Sequence, residues 1–157
     1  MIIPLFPLES GLFPGGLISL RIFEIRYLEM IKKAIKNESS FGLVMLKKGS
    51  EVRKAGVVEE FMPVGTIAKI IEINTLQPTL ILIRCLGKKR FRVLNHERVK
   101  YGLWQGEIEV IDDDAVKEIP PNLQPVADSL GKFILSMQRK GLTQDKMPIY
   151  PPFRLTE

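Results

Sequence analysis

Cys85 and His96 are the only cysteine and the only histidine in the chain. Such a pair can in principle make a nucleophile and its base. Cys85, however, stands in a nearly continuous apolar run from Thr79 to Leu86, where a free thiol is ordinarily a small, inert hydrophobe. His96 stands at a polar strand end. One Cys and one His also cannot complete a four-ligand zinc site without remote carboxylates. Ser129-Leu130-Gly131-Lys132 spells a bare Ser-x-x-Lys, the nucleophile motif of penicillin-recognising enzymes. Its Ser-Asp-Asn and Lys-Thr-Gly companions are missing. Asp112-Asp113-Asp114 could face a cation, but consecutive side chains on an extended chain diverge, so the triplet reads as a solvated turn. The chain is therefore expected to be a non-enzyme, with no metal and no cofactor.

What remains is chemistry of recognition. Phe13, Pro14, Phe23 and Tyr27 gather aromatic and proline surface around one turn. One reading is an apolar patch on which an extended peptide lies, adding to an open strand edge. The other is that Phe23 and Tyr27 pack a helix onto the sheet, with Glu24 and Arg26 exposed or paired with neighbours. A second candidate surface is basic. Residues 81–111 carry seven basic and three acidic groups in a chain of net charge +5. Arg84, Lys88, Lys89, Arg90 and Arg92 head that segment, with Arg98 and Lys100 behind. They form either an electrostatic footprint for nucleic acid or the solvated side of a hairpin.

The elements that position these residues are legible from period and punctuation. Pro4, Pro7 and Pro14 remove backbone donors and fix φ, so the N-terminal segment is expected to be an edge strand or hairpin arm, not a central strand. Gly15 and Gly16 allow the positive φ of a tight reversal. Leu17 to Arg21 follows as a short strand. A helix is predicted over Glu24–Lys36, with Ile25, Leu28, Ile31 and Ile35 as its buried face and Asn37 as its stop. Strands are expected at Phe41–Leu46, Thr66–Ile73, Thr79–Leu86 and, beyond a break at Gly87, Arg90–Val93, with Phe91 and Val93 opposite Arg90 and Arg92. Residues 51–60 read as a hairpin loop or irregular arm. Trp104, Gly106, Ile108 and Val110 share a further strand face. A second helix is expected from an Asn122 cap to Gly141, striped by Leu123, Val126, Ala127, Leu130, Phe133, Ile134 and Met137. Pro148–Phe153 reads as stiff and extended. Short strands with Gly and Pro punctuation and one inserted helix suggest a small closed barrel.

Composition agrees with a folded domain. At 157 residues, 45% hydrophobic and 26% charged, the chain can bury a real core. No apolar run approaches a membrane span, and the N-terminus lacks the basic flank of a signal peptide. A single cysteine fits a reducing compartment, so a cytoplasmic location is expected and no membrane partner.

Four stretches, taken in order, resemble the Lon protease N-terminal domain family. They are Pro4 to Met30, Phe41-Gly42-Leu43-Val44-Met45, Pro63-Val64-Gly65-Thr66-Ile67-Ala68-Lys69-Ile70, and Leu82 to Val93. The chain looks closest to the stand-alone bacterial versions, a group to which the Lon-like part of cereblon is also similar. The resemblance implies an α+β fold: a PUA-like β-barrel with one inserted helix over 1–114, then a helical C-terminal extension over 115–157, apparently truncated. It implies binding of unfolded or partly folded polypeptide, with a separate protease or ATPase as a further partner. Carried onto this chain, the peptide-binding residues are Phe13, Pro14, Phe23, Glu24, Arg26 and Tyr27. Because PUA-like barrels elsewhere bind RNA, the basic segment remains an alternative nucleic-acid face. The chain has neither a phosphate-binding Gly-x-x-x-x-Gly-Lys-Ser/Thr loop nor room for the Ser–Lys protease domain, so it cannot by itself be an ATP-dependent protease.

Overall fold

The computed structural model describes residues 1–51 and 59–141. The strands are β1 (Ile2–Leu8), β2 (Leu17–Ile22), β3 (Phe41–Lys48), β4 (Glu60–Gln77), β5 (Leu80–Arg98) and β6 (Trp104–Val110). Helix α1 (Ile25–Lys36) lies between β2 and β3, and α2 (Gln124–Arg139) follows β6. This is a mostly β molecule with two helices, an α+β arrangement. Among the described residues no helix is long and apolar enough to cross a membrane.

Strand order is β2-β5-β4-β3-β1-β6, and β5 also pairs with β6. The ladder from β5 through β4, β3, β1 and β6 therefore returns to β5. Strand β2 hangs outside this ring, paired on one side among the described residues. Strand β5 can serve three partners because it is 19 residues long. It meets β4 from Leu80 to Arg92, β2 from Ile81 to Leu86 and β6 from Phe91 to Arg98. The break expected at Gly87 does not occur. A Cβ there would collide with the Phe13 carbonyl, so glycine lets the preceding turn close onto an unbroken strand.

That turn is built from Phe13-Pro14-Gly15-Gly16. Gly16 N–H donates to Phe13 O at 2.9 Å, and Gly15 alone takes a positive φ, 75°. Gly15 N–H then donates to Gly87 O at 2.9 Å, while Gly87 N–H donates to Gly16 O at 2.8 Å. A type II turn thus feeds a glycine bulge that starts the β2–β5 ladder.

The expectation of an edge position for the proline-punctuated strand is corrected: β1 lies between β3 and β6. Its two ladders are staggered. Ile2–Leu5 pairs antiparallel with β6, and Leu5–Leu8 pairs parallel with β3. Met1 and Ile108 exchange both backbone bonds. Alternation then points the nitrogens of Met1, Ile3, Leu5 and Pro7 toward β6, and those of Pro4 and Phe6 toward β3. Pro4 faces β3 before that ladder begins, and Pro7 faces β6 after that ladder has ended. Neither proline costs a hydrogen bond.

Two cores result. Inside the ring, Ile3, Leu5, Val44, Phe91 and Ile108 pack together. Between α1 and the outside of the ring, Phe6, Leu8, Leu20, Tyr27, Leu28, Ile31, Phe41 and Leu43 join Ile81, Ile83 and Cys85. The helix is rolled from its expected face: Tyr27, Met30, Ile31 and Ala34 are buried, while Ile25 and Ile35 are 59% and 40% exposed. Stacking of Tyr27 on Phe6, with ring centroids 3.8 Å apart, sets that rotation. Helix α2 starts after a 3-10 turn at Pro121–Leu123, so Asn122 is not its cap, and none of its residues is buried. Residues 52–58, most of the expected 51–60 arm, and Pro148–Phe153 lie outside the described residues.

Phe91 fills the ring because glycine stands across from it. A Cβ on Gly42 would sit 2.6 Å from Phe91 Cζ and 2.9 Å from Leu5 Cδ2. Gly42→Ala should destabilise the fold by about 1–3 kcal/mol, the ordinary range for overpacking. Combining it with Phe91→Leu should recover part of that loss, as a non-additive term in a double-mutant cycle by urea unfolding. Simple additivity would contradict the packing.

Candidate functional site

Burial and ion pairing first settle what the candidate chemical groups do. Cys85 is fully buried in β5, and burial pushes its thiol up to about 12. His96 lies on the same strand at its exposed far end, roughly 36 Å along the chain at about 3.3 Å per residue. The two form no pair. His96 instead packs against Phe61 and Trp104, centroids 4.9 and 5.3 Å apart. Ser129 Oγ donates to Pro125 O at 2.8 Å, a backbone contact within α2. Asp114 accepts from Arg90 at 2.6 Å. Among the described residues no group of three His, Cys, Asp or Glu could hold a metal ion.

The basic segment is not one row, and it is partly neutralised. The β4–β5 register shifts between the Ala68–Gly87 and Thr66–Arg90 pairs, so Arg84 lies opposite the face of Cys85 and Gly87, whereas Arg90 and Arg92 lie opposite Phe91, on the other side of the sheet. Arg84 pairs with Glu72 at 3.2 Å and Arg90 with Asp114. Arg92 stands opposite Glu109 in the β5–β6 ladder. Lys88 and Lys89 are exposed, and no carboxylate among the described residues lies within ion-pair distance of them.

The aromatic and charged cluster at the start of α1 is divided by the fold. Phe13, 79% exposed, and Pro14 form the outer tip of the type II turn. Phe23 is half-exposed, so the reading that packs both Phe23 and Tyr27 into the core holds for Tyr27 alone. Arg26 is neither exposed nor loosely paired. It is buried, and its guanidinium holds Glu59 through Nη1 at 3.3 Å and Nη2 at 3.0 Å. Its Nε donates to Glu24 at 3.0 Å. Glu59 also accepts from the Trp104 indole N–H at 2.7 Å and lies 3.6 Å from Arg98. Burial alone would raise the Glu59 carboxyl, but the hydrogen bonds from Arg26 and Trp104 and the charges of Arg26 and Arg98 hold it below the ordinary glutamate value. Glu59 was missed in the sequence because it sits in a charged stretch that reads as solvated.

Above this network runs a groove of about 300 Å³ lined by Phe6, Leu8, Ser19, Leu20, Arg21, Phe23, Glu24, Tyr27 and Glu51. Three of the expected peptide-contacting residues, Phe23, Glu24 and Tyr27, line it; Phe13, Pro14 and Arg26 do not. Phe6 and Tyr27 form its stacked apolar wall. Burial raises the Tyr27 phenol well above its usual range, and its hydroxyl has no hydrogen-bond partner among the described residues. The rim is the side of β2 that has no strand partner among the described residues. Because Gly16 bonds Gly87, alternation makes Ile18, Leu20 and Ile22 the bonded residues of the β2–β5 ladder. The N–H and C=O groups of Ser19 and Arg21 therefore point away from β5, along the groove. Phe6, Leu8 and the β2 edge gave no signal in the sequence beyond apolar periodicity.

The family described as the ATP-dependent protease La (LON) substrate-binding domain matches residues 2–149. The chain belongs to that family. As a LON substrate-binding domain it is 26% identical to a Lon protease of Anaeromyxobacter dehalogenans over 133 residues, covering 80% of this chain and 15% of that protein. It is 30% identical over 113 residues to a Lon protease of Parabacteroides distasonis, covering 71% of this chain and 13% of that one. The chain thus spans less than a fifth of these relatives. Among solved structures, a Lon N-terminal domain protein from Xanthomonas campestris superposes with a TM-score of 0.68 at 30% identity, covering 86% of this chain and 74% of that one. The N-terminal domain of a Mycobacterium avium complex Lon protease, at 12% identity and a TM-score of 0.53, covers 90% of this chain and 70% of that one and shares the fold.

Glu59→Gln should cost about 3–5 kcal/mol, because it leaves the Arg26 charge buried without its counter-ion. The difference from wild type should be complete above the ordinary glutamate pKa of about 4.3, since the folded carboxyl lies lower. It should disappear as pH falls through the folded value. Urea midpoints measured from pH 7 to pH 3 check both the size and the sign.

Proposed function

We propose that this LON substrate-binding domain is a non-catalytic polypeptide-recognition module that receives extended, partly unfolded segments along the open edge of β2. The observation that carries the reading is the row of Ser19 and Arg21 backbone groups pointing along a groove walled by Phe6 and Tyr27. An added strand would take main-chain hydrogen bonds from that edge and bury alternate side chains in the groove. Each large apolar side chain so buried contributes about 1.5–3 kcal/mol before association costs, which leaves micromolar-scale binding. Phe23, Glu24 and Tyr27 are the proposed contacts from the motif region, and Phe13 and Pro14 extend the apolar surface at the turn.

In this reading the closed ladder is a PUA-like barrel occupying residues 1–114, and residues 115–157 form a helical extension. A cytoplasmic setting suits its single buried thiol, and its family suits collaboration with a separate ATP-dependent protease or ATPase. The segment Arg84, Lys88, Lys89, Arg90 and Arg92 supports nucleic-acid binding less well, since three of the five face carboxylates and Arg84 lies across the sheet from Arg90 and Arg92.

A reduced, carboxymethylated unfolded protein and a labelled RNA, each titrated at 50 mM and 300 mM salt, separate the two. The unfolded protein should bind with little salt dependence, whereas binding through phosphates would weaken steeply. Ser19→Pro removes an outward N–H without touching the β2–β5 bonds. It should leave the melting temperature nearly unchanged and weaken the unfolded protein about tenfold. Unaltered binding by this variant would remove β2 from the function, and tight, salt-sensitive RNA binding with no affinity for the unfolded protein would replace the reading altogether.

A further inference from the structure

The groove along β2 is chemically asymmetric. Among the described residues its lining holds two carboxylates, Glu24 and Glu51, beside one cation, Arg21. Arg26 beneath it pairs with Glu24 as well as with Glu59, so Glu51 is the less compensated of the two. Glu51 accepts from the Glu9 backbone N–H at 2.7 Å, which brings a third acidic residue alongside. That bond uses only one oxygen of Glu51 and Arg26 only one of Glu24, so among the described residues each carboxylate keeps a second oxygen for a ligand. Both stand beside the apolar wall of Phe6 and Tyr27, whose hydroxyl is also without a partner among the described residues.

Resting on the polypeptide-recognition reading above, we infer that the groove selects segments carrying a large apolar or aromatic side chain and a Lys or Arg two residues apart, in either order. Geometry sets the spacing. A strand added to β2 projects residues i and i+2 to the same side, about 7 Å apart. One side chain fills the space between Phe6, Leu20 and Tyr27. The next on that face reaches Glu24 and Glu51. A carboxylate in its place meets two like charges and is rejected, so selection comes from repulsion as well as attraction.

Fluorescence anisotropy of the full chain with four labelled nonapeptides tests this. They share one Pro-free, extended sequence and carry at its centre Phe-x-Lys, Phe-x-Ser, Phe-x-Glu or Ala-x-Lys. Phe-x-Lys should bind about five- to tenfold tighter than Phe-x-Glu at low salt, with Phe-x-Ser between them and Ala-x-Lys weakest. The Lys-over-Glu preference should shrink in 0.5 M salt. Glu51→Lys, its folding checked by circular dichroism, should reverse the preference. Arg21→Ala, which removes the cation of the described lining, should widen it.

Equal affinity for the Lys, Ser and Glu peptides would overturn the charge selection while leaving polypeptide recognition intact. Failure of all four, with the unfolded protein still bound, would move recognition away from this groove. Failure of both kinds of ligand would end the parent reading too. Self-association of the chain that Ser19→Pro abolishes would assign the edge to a second copy and overturn the inference.

Discussion

The Glu59 carboxylate ties together three elements that are distant in sequence. Arg26 brings the first turn of α1, Trp104 brings the start of β6, and Arg98 brings the end of β5. Each is a charged or hydrogen-bonding group that would be costly to bury alone. Because Glu59 satisfies them at one point, the helix can bury an arginine in its first turn and still lie flat on the ring. Replacing the whole network by apolar groups could be as stable in principle. The ionic version fixes a direction as well, because the two-pronged Arg26–Glu59 contact admits one seating of the helix.

Seating the helix determines the groove. With Arg26 turned inward, the neighbouring Tyr27 stacks on Phe6, and Ile25 on the opposite side is left in solvent. Phe23 and Glu24, just before the helix, are thereby carried to the rim beside β2. The same strand stands at the end of the strand order, so among the described residues its far side has no strand partner. An unpaired strand edge is ordinarily a hazard that proteins cover or charge. Here it lies along an apolar wall flanked by carboxylates, the arrangement on which the proposed strand addition rests. The length of β5 lets it close the ring and also carry β2 beyond it.

The motifs that place this chain in its family are packing devices before they are anything else. Gly42 and Gly65 leave the space that Phe91 occupies, and Gly15 and Gly87 let the proline turn close onto β5. None of the four touches the groove directly. They hold the ring whose outer surface carries it, which is how a recurrent sequence pattern can mark a fold while the contacts that choose ligands vary around it.

Local periodicity in the sequence was enough to find α1, most strands, the Phe91/Arg92 alternation and the reversal at Pro14-Gly15, because each depends on residues within a turn or two of one another. The same local signals failed where a distant partner decided the outcome. Pro4 and Pro7 pointed to an edge, yet staggered ladders with β6 and β3 let β1 run inside the sheet. Gly87 pointed to a break, yet the Phe13 carbonyl fills the place of its side chain. Glu59 lies 33 residues from Arg26 and 45 from Trp104, so nothing in its neighbourhood announces its burial. Apolar spacing fixes which residues want to leave water; only closure of the ring decides which of them, and which charges, meet.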